Sequence, residues 1–241
     1  MPLKILLQSE PLRVPLLVSC RCQFGRQFKY LRFTHSTPTN PLELSYPAST
    51  TSSHHDLPSF LEYALRVGLD PKSSTYVGTR YEYTVQSSLK RLGISLKRVG
   101  GRSDYGIDLM GTWDLPAVPL HLKALIQCKA HATKPSPSEV RELEGALMGA
   151  PMGWRDPGVI GLLIAQREAT KGVRDALGKS RRPMGFALCS DKGKILQFLW
   201  NKRAEEEGLL GVGVGIRYGL TDRNDKEVLL IWKGEALVGV G

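Results

Sequence analysis

Asp108, Gln127 and Lys129 are the residues of this sequence whose types and spacing add up to a chemistry. A carboxylate, an amide oxygen and an ammonium brought to one point can hold a hard divalent cation beside a phosphodiester. Nucleophilic attack on phosphorus adds negative charge to a group that is already anionic. A cation such as Mg²⁺ or Mn²⁺, ligated by carboxylate, carbonyl and water oxygens, offsets that charge. In this arrangement Asp108 is the anionic ligand, Gln127 a neutral one, and the backbone carbonyl of Cys128 a third. Lys129 is a compact cation that orients or helps to deprotonate the attacking water. Glu82 either anchors a metal-bound water or neutralises a basic residue. Each of these has an ordinary explanation when taken singly: an aspartate after a glycine is often a turn acid, and a lysine closing a strand is often a solvated edge. The case rests on the combination.

The combination needs three elements. Gly78–Leu92 carries Tyr81, Val85, Leu89 and Leu92 at helical spacing and is predicted as the helix holding Glu82, with Gly93 ending it in the left-handed conformation. Tyr105–Thr112 is predicted as a strand holding Asp108. Leu120–Cys128 alternates at first and then turns apolar on both faces at Leu125 and Ile126, as a strand entering a sheet centre does. Gln127 and Lys129 are two residues apart and project to one face, with Cys128 pointing into packing. If the two strands pair as a hairpin, Asp108 lies opposite Gln127.

Around these, Leu57–Val67 reads as a short helix with Phe60, Leu61, Ala64 and Leu65 on one face. Ile94–Val99 is a strand, Ser136–Met148 a helix with Pro137 in its first turn, Gly158–Ala165 a buried strand, Glu168–Leu177 a helix and Gly185–Cys189 a strand. Lys194–Trp200, Gly211–Tyr218 and Glu227–Trp232 follow as strands. Short turns join the first strands, which can pair antiparallel; later strands cross over through helices and should be parallel. The expected fold class is α/β: a three-layer α/β/α core with a mixed sheet, plus extra C-terminal strands.

Gly78-x-x-Tyr81-Glu82 in a helix, Asp104-x-Gly106-Ile-Asp108-Leu, and then Gln127-Cys-Lys129 resemble the Mrr-like branch of the PD-(D/E)XK, restriction-endonuclease-like nucleases. The resemblance runs from about Phe60 to Cys189. With Pro151-Met-Gly-Trp154 and Phe198-Leu-Trp-Asn201 it is closer still to the fungal mitochondrial family named for being required for respiratory growth. It implies a restriction-endonuclease-like fold, a mitochondrial location and a Mg²⁺-dependent activity on DNA. Gln127 stands where the general motif has a second acid, as it commonly does in Mrr-type members. The site therefore carries one negative charge fewer, for which Asp104 or Glu82 could compensate.

The chain carries 33 Lys and Arg against 23 Asp and Glu, a net +10 among 241 residues. Such a balance suits a polyanionic partner, DNA or RNA, although mitochondrial proteins are often basic in any case. Lys171, Arg174, Arg181 and Arg182 are the predicted phosphate contacts, since phosphate contacts need only charge and reach. Residues 1–56 read as a mitochondrial presequence and linker. They are basic and nearly free of acids up to Asn40, then rich in Ser, Thr and Pro. A secretory signal is the competitor there, and Pro2, Pro11, Pro15, Glu10 and Arg13 interrupt its apolar run. Residues 57–241 form the expected restriction-endonuclease-like domain, in a protein expected in the matrix. No apolar run reaches the length of a membrane span. The four cysteines include no Cys-x-x-Cys pair and the five histidines show no ligand spacing with them, which argues against zinc and against a disulfide framework.

Three functions of different class follow: a Mg²⁺-dependent deoxyribonuclease for mitochondrial genome maintenance, a catalytically silent nucleic-acid-binding or scaffold protein of the same fold, and a structural subunit of a mitochondrial complex. An exposed apolar patch on the C-terminal strands would favour the third.

Overall fold

The computed structural model describes residues 46, 53–99, 106–115, 120–155, 157–219 and 225–237, all of which belong to one unit, Glu43–Gly241. Asp104, Tyr105 and residues 116–119 lie outside the described residues, as does most of the expected presequence and linker, 1–45 and 47–52.

A six-stranded mixed sheet runs β1 (Ile94–Arg98), β2 (Leu109–Leu115), β3 (Leu120–Lys129), β4 (Val159–Ala165), β5 (Met184–Cys189) and β6 (Ile195–Trp200), in that spatial order. β1, β2 and β3 pair antiparallel, β3, β4 and β5 pair parallel, and β6 returns antiparallel to β5. The parallel joins are made by α3 (Pro137–Gly149) and α4 (Lys171–Lys179). Two successive crossovers moving the same way across the sheet place both helices on one face. There Val140, Leu143 and Leu147 of α3 and Val173 and Leu177 of α4 close over Leu125, Leu163 and Phe186. α2 (Ser74–Lys90) covers the other face through Tyr81, Val85 and Leu89, packed on Leu109, Ile126 and Ile164. β4 is buried along its whole length, as a strand covered on both faces must be.

The C-terminal strands do not extend the main sheet. β7 (Val212–Tyr218), β8 (Lys226–Trp232) and a short β9 (Glu235–Leu237) form a separate antiparallel sheet. Val212, Val228 and Leu230 join it to the core beneath α2. On the edge strand β7, Val214, Ile216 and Tyr218 stand exposed in one row.

Local signals explain the helix ends. α1 (Leu57–Val67) starts at a capping box between Asp56 and Ser59 and stops at Gly68, φ +65°. Only Phe60 and Ala64 are buried; Leu65 is 85% exposed and Leu61 41%, against the four-residue face expected. α1 packs on α2 alone, and one neighbouring helix covers a narrower stripe than a sheet would. α2 begins four residues earlier than expected because the Ser73 hydroxyl accepts the Tyr76 N–H at 3.2 Å. Gly93 does adopt the left-handed conformation, φ +79°; a side chain there would also strike the Asp114 carbonyl.

Packing begins before residue 57. Tyr46 lies against Trp154, ring centres 5.4 Å apart, with the Lys97 ammonium 4.4 Å over its ring. His54 is buried among Phe60, Tyr63 and Tyr83, and its Nδ1 is 2.7 Å from the Tyr83 hydroxyl. Among the described residues no helix is long and apolar enough to cross a membrane.

Candidate metal centre

Asp108 sits one residue ahead of β2 rather than within it. Its backbone remains tied to both neighbours: the Val99 N–H donates to its carbonyl at 2.9 Å, and its own N–H donates to the Ile126 carbonyl at 2.8 Å. Beyond this point the chain bends away through Gly106, φ +79°, leaving the Cys128 N–H without a strand partner on that side. The Asp108 carboxylate takes that role, accepting the Cys128 N–H at 2.6 Å. Asp108 therefore holds β3 at residue 126 through its backbone and at residue 128 through its side chain, and brackets Gln127.

Gln127 is 7% exposed, and its Oε1 is a buried oxygen with no hydrogen-bond partner among the described residues. An orphaned buried acceptor costs roughly 1–3 kcal/mol. A buried amide oxygen of this kind is one of the neutral donors that a hard cation accepts. A glycine is required at 106, since a Cβ there would lie 3.1 Å from Gln127 Nε2 in addition to the backbone strain. Asp108 and Gln127, with the Cys128 carbonyl that the sequence nominates, fit an oxygen-ligated hard cation held by a single protein charge. Among the described residues no three His, Cys, Asp or Glu side chains gather as a metal-binding group, which leaves water oxygens to complete such a shell.

The thiols take no part. Burial pushes the Cys128 thiol well above its ordinary range, and the negative charges of Asp108 and Glu82 push it further. Cys189 is raised to about 11, mainly by burial. Both stay protonated and are neither nucleophiles nor thiolate ligands at neutral pH.

Two of the predicted partners are engaged elsewhere. Lys129 follows Gln127 on the α3 face of β3, and its ammonium lies 3.0 Å from the Glu142 carboxylate of α3. Glu82 is on α2, across the sheet, and pairs with Arg98 of β1, each side chain 13% exposed. Of the two roles open to Glu82, it fills the neutralisation of a basic residue. Arg98 and Glu142 were not anticipated. Arg98 was findable, since it continues the Ile94, Leu96 alternation towards α2; nothing local marks Glu142.

The predicted phosphate contacts divide. Lys171 and Arg174 are exposed at the start of α4, just after β4 ends, on the same edge of the sheet as Lys129. That edge is fastened by Arg167 Nε donating to the Ala132 carbonyl at 3.0 Å and Thr170 Oγ1 to that of Pro135 at 3.3 Å. Arg181 and Arg182 instead precede β5. The Pro183 carbonyl accepts the Gly161 N–H at 3.0 Å, so they stand towards the amino end of β4. The run from Val159 to Ala165, at about 3.3 Å per residue, separates them from Lys129's edge by about 20 Å. They cannot serve the Asp108 centre directly.

Fold and site thus define a mixed α/β protein with an acid, an amide and a lysine at the carboxyl edge of its parallel strands. The family model for Required for respiratory growth protein 7 matches residues 73–124 and 119–215, more than half of the chain, and the chain belongs to that family. An uncharacterized mitochondrial protein of Schizosaccharomyces pombe is 34% identical over 157 residues, 63% of this chain and 61% of the relative. The mitochondrial Required for respiratory growth protein 7 of Candida glabrata is 30% identical over 40% of this chain and 55% of its own. That of Zygosaccharomyces rouxii is 34% identical over 31% and 47%. The chain spans about half to three fifths of the length of these relatives. All three of these relatives are named as mitochondrial, and two of them as required for respiratory growth. No solved structure matches it.

Proposed function

We propose that this chain is a Mg²⁺- or Mn²⁺-dependent mitochondrial endonuclease of restriction-endonuclease-like fold. It hydrolyses DNA phosphodiesters in the matrix, in the service of mitochondrial genome maintenance. The observation that carries the reading is the unpartnered, buried Gln127 Oε1 bracketed by Asp108. A divalent cation at these oxygens offsets the charge that builds on a phosphodiester under attack. Asp108 and Gln127 hold it, Lys129 faces the phosphate or the attacking water, and Lys171 and Arg174 draw the backbone to this edge.

The ion pair of Lys129 with Glu142 favours the rival reading, a catalytically silent nucleic-acid-binding or scaffold protein. Magnitudes favour the enzyme. Glu142 is 53% exposed, and a pair of that kind is worth about 0–1 kcal/mol, so Lys129 leaves it readily for a phosphate. The orphaned oxygen costs more than that pair returns.

The test is cleavage of DNA by the purified chain with Mg²⁺, Mn²⁺ or EDTA, alongside Asp108→Ala. Wild type should cut only with metal, and Asp108→Ala should lose at least about a hundredfold in rate while still binding DNA. Binding without cleavage by the wild type would hand the site to the silent reading. Cleavage by Asp108→Ala at the wild-type rate would remove Asp108 from the centre.

A further inference from the structure

At the amino edge of β4 and β5, away from the candidate metal centre, the surface opens into a cleft of about 240 Å³. Leu147 and Val159 form its floor, and the buried Trp154 one wall. Arg155, Arg181 and Arg182 are among its lining residues, and Glu207 is the one acidic residue among the described ones there. Charge pairing does not explain the arginines, because none of the three makes an ion pair among the described residues. Arg155 donates to the Ala150 carbonyl, and Arg182 reaches only the Met148 sulfur, a weak acceptor. The Glu207 carboxylate is turned to the backbone, where it accepts the Gly158 N–H. Three cations around one hollow repel each other, and a protein of ordinary composition separates or pairs them.

The backbone that presents Arg181 and Arg182 is fixed. The buried Asn201 donates through Nδ2 to the carbonyls of Leu177 at 3.0 Å and Arg182 at 2.8 Å, and its Oδ1 accepts the Met184 N–H at 3.1 Å. The Ser180 hydroxyl accepts the Arg182 N–H at 3.1 Å and donates to Glu144. A pre-formed cradle of this kind orders little on binding. The hollow is smaller than the roughly 300–1,000 Å³ usual for drug-sized ligands, so it admits one compact anion rather than a whole nucleotide. Guanidinium forks match the tetrahedral oxygens of phosphate.

From this cluster we infer that Arg155, Arg181 and Arg182 form a phosphate-binding site, separate from the metal centre and independent of any cation. The phosphate arrives either as a free or small esterified ion or as a group on a nucleic-acid strand; the chemistry is common to both.

Calorimetric titration of the full chain in EDTA tests the site without involving the Asp108 centre. Inorganic phosphate should bind saturably to wild type. The double variant Arg181→Ala, Arg182→Ala should bind it at least about tenfold more weakly, the size of one lost charge-assisted hydrogen bond. Glu207→Gln should tighten binding, a gain that misfolding cannot imitate. A short single-stranded oligonucleotide that displaces phosphate from wild type identifies a strand as the source; an oligonucleotide that displaces no phosphate identifies the small ion. Either result upholds the site. No saturable binding by wild type, equal affinity in the double arginine variant, or weaker binding by Glu207→Gln would overturn it. None of these readouts depends on cleavage.

Discussion

The two ends of the parallel strands treat charge in opposite ways. At the carboxyl edge, Asp108 is bonded to the Cys128 amide, Lys129 to Glu142, and Glu82 across the sheet to Arg98. What is left over there is a neutral oxygen, on Gln127. At the amino edge three arginines share a hollow with no carboxylate paired to any of them. The motif-bearing edge is nearly self-neutralised and asks for a cation at one point; the edge with no motif carries unbalanced charge and asks for an anion. A sequence motif marks where residue types match a known pattern. Excess charge marks where the structure is electrostatically incomplete, and in this molecule the two do not coincide.

The sharpest test of that contrast is Gln127→Leu, which removes the orphaned oxygen at nearly constant volume. In EDTA the variant should be more stable than wild type by about 1–3 kcal/mol, read by thermal or urea unfolding. Adding Mg²⁺ should raise the wild-type melting temperature and leave the variant's in place. A variant destabilised in EDTA would mean that Oε1 has a structural partner, and the contrast between the edges would fail.

Glu142→Gln should matter less. It releases an exposed ion pair, so the change in unfolding free energy should stay below about 1 kcal/mol. Cleavage should hold or rise as Lys129 is freed. A drop in cleavage of tenfold or more would show that Glu142 positions Lys129 rather than merely parking it.

The smallest effect is one of acidity, and it separates the edges by a different property. Burial, then the nearby Arg98 charge, lowers the pKa of His54 below its ordinary value, so the folded protein prefers the neutral ring. The stability His54 contributes is present above the unfolded-state pKa of about 6.5 and is lost as pH falls below it, because the unfolded chain then binds the proton more readily. Unfolding midpoints should decline below about pH 6.5, and His54→Phe should flatten that decline while changing little at pH 8. Phosphodiester binding in the arginine cleft should be flat over the same range, since guanidinium does not titrate there. An identical acid slope in His54→Phe would assign the effect to another group.

Much of this was legible in advance because it depends on local rules. The antiparallel start, the parallel pairing of β3 with β4 and of β4 with β5, and the placing of Gln127 and Lys129 on one face all follow from alternation and connection length. Asp108 came within one residue of its expected strand, which starts late because Gly106 turns the chain just before it. Arg181 and Arg182, expected as phosphate contacts, stand at the opposite edge from Asp108 although they follow the motif in sequence. Topology is what places them, since residues that precede a parallel strand lie at its amino end and residues that close one lie at its carboxyl end. Arg155 and Glu207 could not be found in this way. They come from segments 52 positions apart, one of them a π-helical turn, Glu205–Leu209, brought together by the fold, and neither belongs to a periodic pattern.

The order of the main sheet is also the order of the chain, β1 to β6 without a swap. This bears on how the molecule is built. Each new strand pairs with the one just completed, so no strand has to be inserted between two already paired. A polypeptide delivered amino end first, as from a ribosome or a translocation pore, can dock its segments as they emerge. The growing sheet then has a single advancing edge to shield, and β6, turning back antiparallel on β5, brings that growth to a stop.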